Sequence, residues 1–208
     1  MVYTGTGGKS PACINATYMT KEALRKYYSE KRLSLSASER NRFDDLILIL
    51  FQQLEIAPHV QTVLSYWPLP ERGEINSFLF TDFLEFRIPS LQIAYPVCDF
   101  TDHSMEAFLV NEESTFRRNR YGIAEPVDGQ YISPTEIDLV LVPLLAFDAK
   151  GYRLGYGKGF YDRYLERCRE DVIRIGFSYF EAEPAIPGVD QFDVPLNYCL
   201  TPDAIYEF

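Results

Sequence analysis

The chain places Gly151, Arg153, Gly155, Gly157, Lys158, Gly159 and Asp162 within twelve positions. Together these residue types can hold a phosphate. Glycine lets a backbone approach a ligand closely and adopt positive φ. Successive N–H groups can then point into one concavity and bind phosphate oxygens. Arg153 and Lys158 add full charges, and Asp162 is a hard oxygen donor of the kind Mg²⁺ takes. Two standard nucleotide loops are excluded by spacing. A dinucleotide fingerprint counted from Gly155 needs a glycine at Phe160. A Walker loop on Gly157-Lys158 needs glycine at Tyr152 and Ser or Thr at Gly159. Gly8-Lys9-Ser10 fails too, with Tyr3 in the glycine position. On glycine spacing alone, a tight turn with a solvated lysine explains the run as well as a phosphate cradle does.

The flanking residues supply the elements that would position this loop. Residues 138–147 are almost continuously apolar, which predicts a strand covered on both faces. Asp148 to Gly151 end it with turn chemistry. A helix from about Phe160 would add its positive N-terminal end to the loop. Upstream, Thr20 can cap a helix running to about Arg32. Ser36 and Glu39 form a capping box for a second helix. That helix carries Phe43, Leu46, Ile47, Leu50, Phe51 and Leu54 at core-facing spacing, and Pro58 closes it. Strands are expected at 62–67, 91–97, 105–110 and 172–178, and a helix at 75–86. Residues 111–137 read as a long polar loop. Strands alternating with helices predict an α/β fold, three-layered, with a largely parallel central sheet flanked by helices in a single domain. Residues 1–18 lack periodicity, and Met19 could serve as a start. They are expected to be a disordered or artificial leader ahead of a domain over 19–208.

The net charge is −10, with 20 basic and 30 acidic residues. This excludes a broad nucleic-acid footprint, which needs a basic face. Any anionic substrate must be held by local cations against the global field. Lys26 and Lys31 read as a solvated face. No apolar stretch approaches the roughly 20 residues that cross a bilayer. Cys13, Cys98, Cys168 and Cys199 lack C-x-x-C spacing. They are expected to be reduced thiols in a cytoplasmic protein, with no disulfide framework or metal cluster. His59 and His103 fit no catalytic position.

The string LGYGKGFYDRYL, preceded by DLVLVP and AFD-x-x-G-x-R, resembles the signature of the 5-formyltetrahydrofolate cyclo-ligases, or methenyltetrahydrofolate synthetases. The likeness extends from about Lys21 to the C-terminus. It includes Lys21, Arg25, Arg32, Leu35-Ser36-x-x-Glu39-Arg40, Tyr121-Gly122-Ile123-x-Glu125-Pro126 and Phe192-Asp193-Val194-Pro195-Leu196. It implies an ATP- and Mg²⁺-dependent enzyme acting on a small reduced folate, possibly polyglutamylated, as a monomer with neither nucleic-acid nor membrane partners. Lys21 and Arg25 match cations that reach ATP. Gly155, Tyr156, Gly157, Gly159, Phe160 and Tyr161 match the nucleotide loop, with Arg153 and Lys158 as catalytic phosphate-holding cations. Asp162 and Asp193 match metal-binding positions. Glu74 matches the carboxylate that hydrogen-bonds the pterin, with Trp67 and Tyr161 beside the folate. Three departures stand out. Leu144 occupies a common glycine position and is expected to reshape the pocket floor. Phe192-Asp193 replaces a His-Asp pair, and Asn197 replaces a common aspartate. The alternatives are a non-catalytic nucleotide- or folate-binding relative and a sugar-phosphate isomerase or transferase of similar architecture.

Overall fold

A computed structural model describes residues 19–56 and 59–208. The expectations for the leader, Cys13 and Pro58 lie outside the described residues. Helix α1 (Lys21–Leu33) starts where Thr20 Oγ1 accepts from Ala23 N at 3.1 Å. Helix α2 (Ala37–Phe51) starts at the Ser36–Glu39 capping box, with both reciprocal bonds present. These caps satisfy backbone donors that a helix start leaves open.

The centre is an eight-stranded sheet. In chain order its strands are β1 (Thr62–Leu64), β2 (Gln92–Asp99), β3 (Ser104–Val110), β6 (Gln130–Ile132), β7 (Leu139–Val142), β10 (Ile173–Phe177), β11 (Tyr198–Leu200) and β12 (Ile205–Glu207). The spatial order is β12-β11-β10-β7-β1-β2-β3-β6. The run from β11 to β2 is parallel, and β12, β3 and β6 add antiparallel margins. All of β7 is buried. Its side chains alternate between two cores, as the period of two requires. Leu139 and Leu141 pack with Phe51 and Phe80, and hence with α2 and α3 (Phe78–Arg87). Val140 and Val142 pack with Tyr164 and Leu165 of α4 (Phe160–Leu165). Helices therefore cover both sheet faces, which gives the three layers. A third cluster joins Leu24 and Tyr28 of α1 to a hairpin of β8 (Ala146–Phe147) and β9 (Arg153–Leu154).

Several expected boundaries shift. The run 138–147 is two strands. Pro143 cannot donate to a ladder, and the chain leaves the sheet there to build the β8–β9 hairpin. The strand expected at 62–67 ends at Leu64. The helix expected from Ile75 begins at Phe78, because Ser77 Oγ donates to Tyr66 O at 2.6 Å and pins the preceding turn. The polar segment 111–137 contains β4 (Phe116–Arg118) paired with β5 (Ala124–Pro126), then β6. Among the described residues, no helix is long and apolar enough to cross a membrane.

Candidate active site

The sequence dictates the turn that launches the loop. Buried Asp148 accepts from Lys150 N at 2.9 Å, Tyr152 N at 3.0 Å and Ile186 N at 2.9 Å. Gly151 sits at φ +83°, and a Cβ there would lie 2.7 Å from Phe208 Cγ. This turn feeds β9 and then the glycine loop, with Gly157 at φ +84° and Gly159 at +68°. The N–H groups of Gly155, Tyr156, Gly157, Lys158 and Gly159 donate to no acceptor among the described residues. Consecutive open donors of this kind form an anion-binding nest. The following α4 has only six residues, so its dipole adds little.

The loop borders a cavity of about 500 Å³ at the carboxyl ends of the parallel strands. In open α/β sheets, ligands bind in that crevice. Every residue singled out for a site role from the sequence lines it: Lys21, Arg25, Trp67, Glu74, Arg153, the loop 155–162 and Asp193. Four side chains of α1, at 21, 25, 28 and 32, form one helical stripe that fastens this region. Lys21 Nζ lies 3.1 Å from Asp193 Oδ2. Arg25 Nε donates to Gly155 O at 3.0 Å. Tyr28 donates to Glu183. Arg32 donates to Tyr156 Oη at 2.6 Å.

The two expected phosphate cations differ in kind. Lys158 is exposed, and its Nζ has no partner among the described residues. Arg153 belongs to β9, ahead of the loop, and is buried. It donates to Asp162 Oδ1 at 2.7 Å and to Val194 O. Burial pushes its pKa down, while Asp162 and Asp193 oppose that shift. The bound Asp162 Oδ1 also accepts from Val194 N at 3.2 Å. Asp193 Oδ2 accepts from Lys21 and from Asp190 N at 2.9 Å. Asp162 Oδ2 and Asp193 Oδ1 accept no hydrogen bond among the described residues. Two hard oxygens at a phosphate cradle suit Mg²⁺, which takes one or two carboxylates with waters and phosphate oxygens.

Glu74 lies on the other side. Its Oε2 accepts from Leu69 N at 2.9 Å and its Oε1 from Tyr156 Oη. Burial raises its pKa, opposed by Tyr156 and Arg32. Trp67 packs on Phe116, with ring centroids 4.6 Å apart, and on Phe78 at 5.0 Å. Burial holds Tyr161 well above the usual phenol range and pushes the Cys98 thiol up to about 12. Neither group is ionised near neutrality.

Leu144 does not form the pocket floor. It is absent from the cavity lining and packs on Gly176, where a Cβ would lie 2.6 Å from its Cδ2. Asn197 is also outside the cavity. Its Oδ1 accepts from Arg174 N at 2.9 Å and Arg174 Nε at 3.0 Å, pinning β10 to β11. Sequence reasoning missed Arg72, Phe100 and Tyr121 as cavity residues. Phe100 and Tyr121 pack in a tilted pair with ring centroids 4.0 Å apart, and Phe100 meets Phe160 edge-on at 5.0 Å. Phe100 carried no local signal, since the β2–β3 turn delivers it.

Open N–H donors and two hard carboxylates border a cavity at the carboxyl ends of a parallel sheet, the usual ligand position in an α/β protein. The 5-formyltetrahydrofolate cyclo-ligase family matches residues 18–202. A protein of Mycoplasma pneumoniae named 5-formyltetrahydrofolate cyclo-ligase is 34% identical over 77% of this chain and 86% of its own length. The Aquifex aeolicus 5,10-methenyltetrahydrofolate synthetase structure aligns with TM-score 0.73 and 30% identity, covering 91% of this chain and 93% of that one. A Mycoplasma pneumoniae 5,10-methenyltetrahydrofolate synthetase structure aligns with TM-score 0.64 and 28% identity, covering 88% and 98%. The chain belongs to the 5-formyltetrahydrofolate cyclo-ligase family, a family of folate-acting ligases.

Proposed function

We propose that the protein uses ATP to close 5-formyltetrahydrofolate to 5,10-methenyltetrahydrofolate, releasing ADP and phosphate. The observation that carries this reading is the run of five open N–H donors from Gly155 to Gly159, in one cavity with Glu74. The donors suit polyphosphate, and a half-buried carboxylate facing the cavity suits the paired N–H edge of a pterin.

The formyl oxygen is a poor leaving group. Transfer of the γ-phosphoryl group to it makes a phosphate ester and releases ADP; N10 then attacks the formyl carbon and gives up its proton to solvent, the C–O bond breaks and phosphate departs. Phosphoryl transfer needs mainly positioning and charge neutralisation. The loop N–H groups and Lys158 hold the transferring phosphate, and Lys21 and Arg25 hold the nucleotide from α1. Arg153 acts from beneath by fixing Asp162. Asp162 Oδ2 and Asp193 Oδ1 would hold Mg²⁺, which when bound neutralises phosphate charge. Glu74 orients the pterin, and Trp67 and Tyr161 wall the folate side.

The test mixes the protein with 5-formyltetrahydrofolate, Mg²⁺ and ATP and follows the near-ultraviolet absorbance of the methenyl product. An ATP-dependent rise is expected. Its absence from folded protein that still binds both ligands would identify a non-catalytic relative.

A further inference from the structure

Arg32 is buried, and none of its three side-chain hydrogen bonds reaches a carboxylate. Nε donates to Arg72 O at 2.9 Å, Nη1 to Leu144 O at 3.3 Å and Nη2 to Tyr156 Oη at 2.6 Å. A buried cation needs compensation. Here it arrives through a phenol, because Tyr156 in turn bonds Glu74. The direction of that chain is forced. A guanidinium has only donors, and a phenol has one proton. Arg32 occupies a lone pair of Tyr156, so the phenol proton goes to Glu74 Oε1. Leu69 N–H donates to Oε2. Each of these bonds favours the charged carboxyl and leaves a second lone pair on its oxygen for a further donor. The network therefore opposes burial, which raises the Glu74 pKa, and holds that rise back.

We propose that Arg32 and Tyr156 are positioning residues that hold Glu74 as an ionised double acceptor for a ligand's paired N–H edge. Through them, the loop with the open phosphate donors also sets the substrate-side carboxylate. The ligand assigned to that edge rests on the folate reading above. The other groups facing Glu74 do not replace Arg32. They are Arg72 from the turn at 70–72, Tyr66 after β1 and Tyr161 on α4. Burial keeps both of these tyrosines protonated, and Arg72 makes no bond to Glu74 among the described residues. Tyr156, whose own pKa is raised by burial, likewise stays a donor.

The test needs no turnover. The full chain is labelled at glutamate side-chain carboxyls with ¹³C, and Glu74→Gln assigns the Glu74 signal. Without ligand, Glu74 is expected to titrate at higher pH in Arg32→Met and in Tyr156→Phe than in the wild type. Arg32→Lys, which keeps the charge, should return it toward the wild-type position. Tyr156→Phe removes one oxygen only, so it remains informative if Arg32→Met does not fold. Trp67, the single tryptophan, then reports 5-formyltetrahydrofolate binding by fluorescence. At pH 7 both variants should bind about tenfold or more weakly, the scale of one lost charge-assisted hydrogen bond. An unmoved Glu74 titration in both variants would overturn the relay, whatever happens to activity. A moved titration in a protein that binds no 5-formyltetrahydrofolate would instead overturn the folate reading and the ligand assigned here.

Discussion

Lys158 and Asp162 sit four positions apart, and their surroundings predict opposite costs for removing them. Lys158 is exposed and unpartnered among the described residues, so Lys158→Ala should leave the melting temperature unchanged. If its charge meets the transferring phosphate, kcat should fall roughly 10²–10³-fold, as when a preorganised charge or donor is lost. A near-normal rate would make it a solvated loop residue. Asp162 holds the buried Arg153 guanidinium and Val194 N. Asp162→Asn should therefore cost about 1–3 kcal/mol in denaturant unfolding, the scale of a bond to a charged group. It should also raise the Mg²⁺ concentration for half-maximal rate more than it weakens folate binding. The reverse order in a metal titration would remove Asp162 from the metal site.

Asp44 operates at the scale of elements. It lies in α2, accepts from Tyr179 Oη at 2.8 Å and from Asn76 N at 3.4 Å, and so ties the helix to the turn that follows Glu74. Burial raises its pKa from 3.8 to about 6. The folded state thus binds this proton more tightly than the unfolded state. The resulting stabilisation is complete below about pH 4 and is lost as pH rises through about 6. Asp44→Asn removes the charge and the titration but keeps one acceptor oxygen only, so it retains one of these two contacts. Whatever the lost contact costs at every pH, the variant should gain about 1–3 kcal/mol on wild type between pH 4 and pH 8, as followed by urea unfolding. A gap independent of pH would refute the ionisation argument. Elements with local signals were legible in the sequence: both capped helices, the buried strand and the glycine loop all appear close to where their residues placed them. The rest depended on long-range contacts. The apolar run 138–147 looked like one strand because the β8–β9 hairpin is buried as well, and Pro143 was the only local break. The three-residue strands β4, β5 and β6 are too short to show a period. Leu144 looked like a pocket residue until the fold turned its side chain onto Gly176.

For the molecule as a whole, burial predicts how stability is distributed. Strands β1 and β7 are wholly buried and paired on both sides. Their amides should be among the slowest to exchange with solvent, approaching the global unfolding free energy. Strands β12 and β6 are three-residue margins. Short edges of this kind limit pairing with another copy, and their amides should exchange sooner. Comparable protection at the centre and the margins would refute this gradient.

Helix α1 lies outside the central sheet and packs on the β8–β9 hairpin through Leu24 and Tyr28. The region it fastens can therefore come apart without the sheet unfolding: one local opening of α1 would withdraw Lys21, Arg25 and Arg32 together. A ligand bridging Lys21, Arg25 and the glycine loop would have to be released first, so it would act as a clamp on the helix. Cleavage by a lysine- and arginine-directed protease within α1 should slow as that ligand saturates, in proportion to 1 + [L]/Kd. Occupancy of the site would then set how long the chain survives proteolysis as well as whether it is ready to turn over.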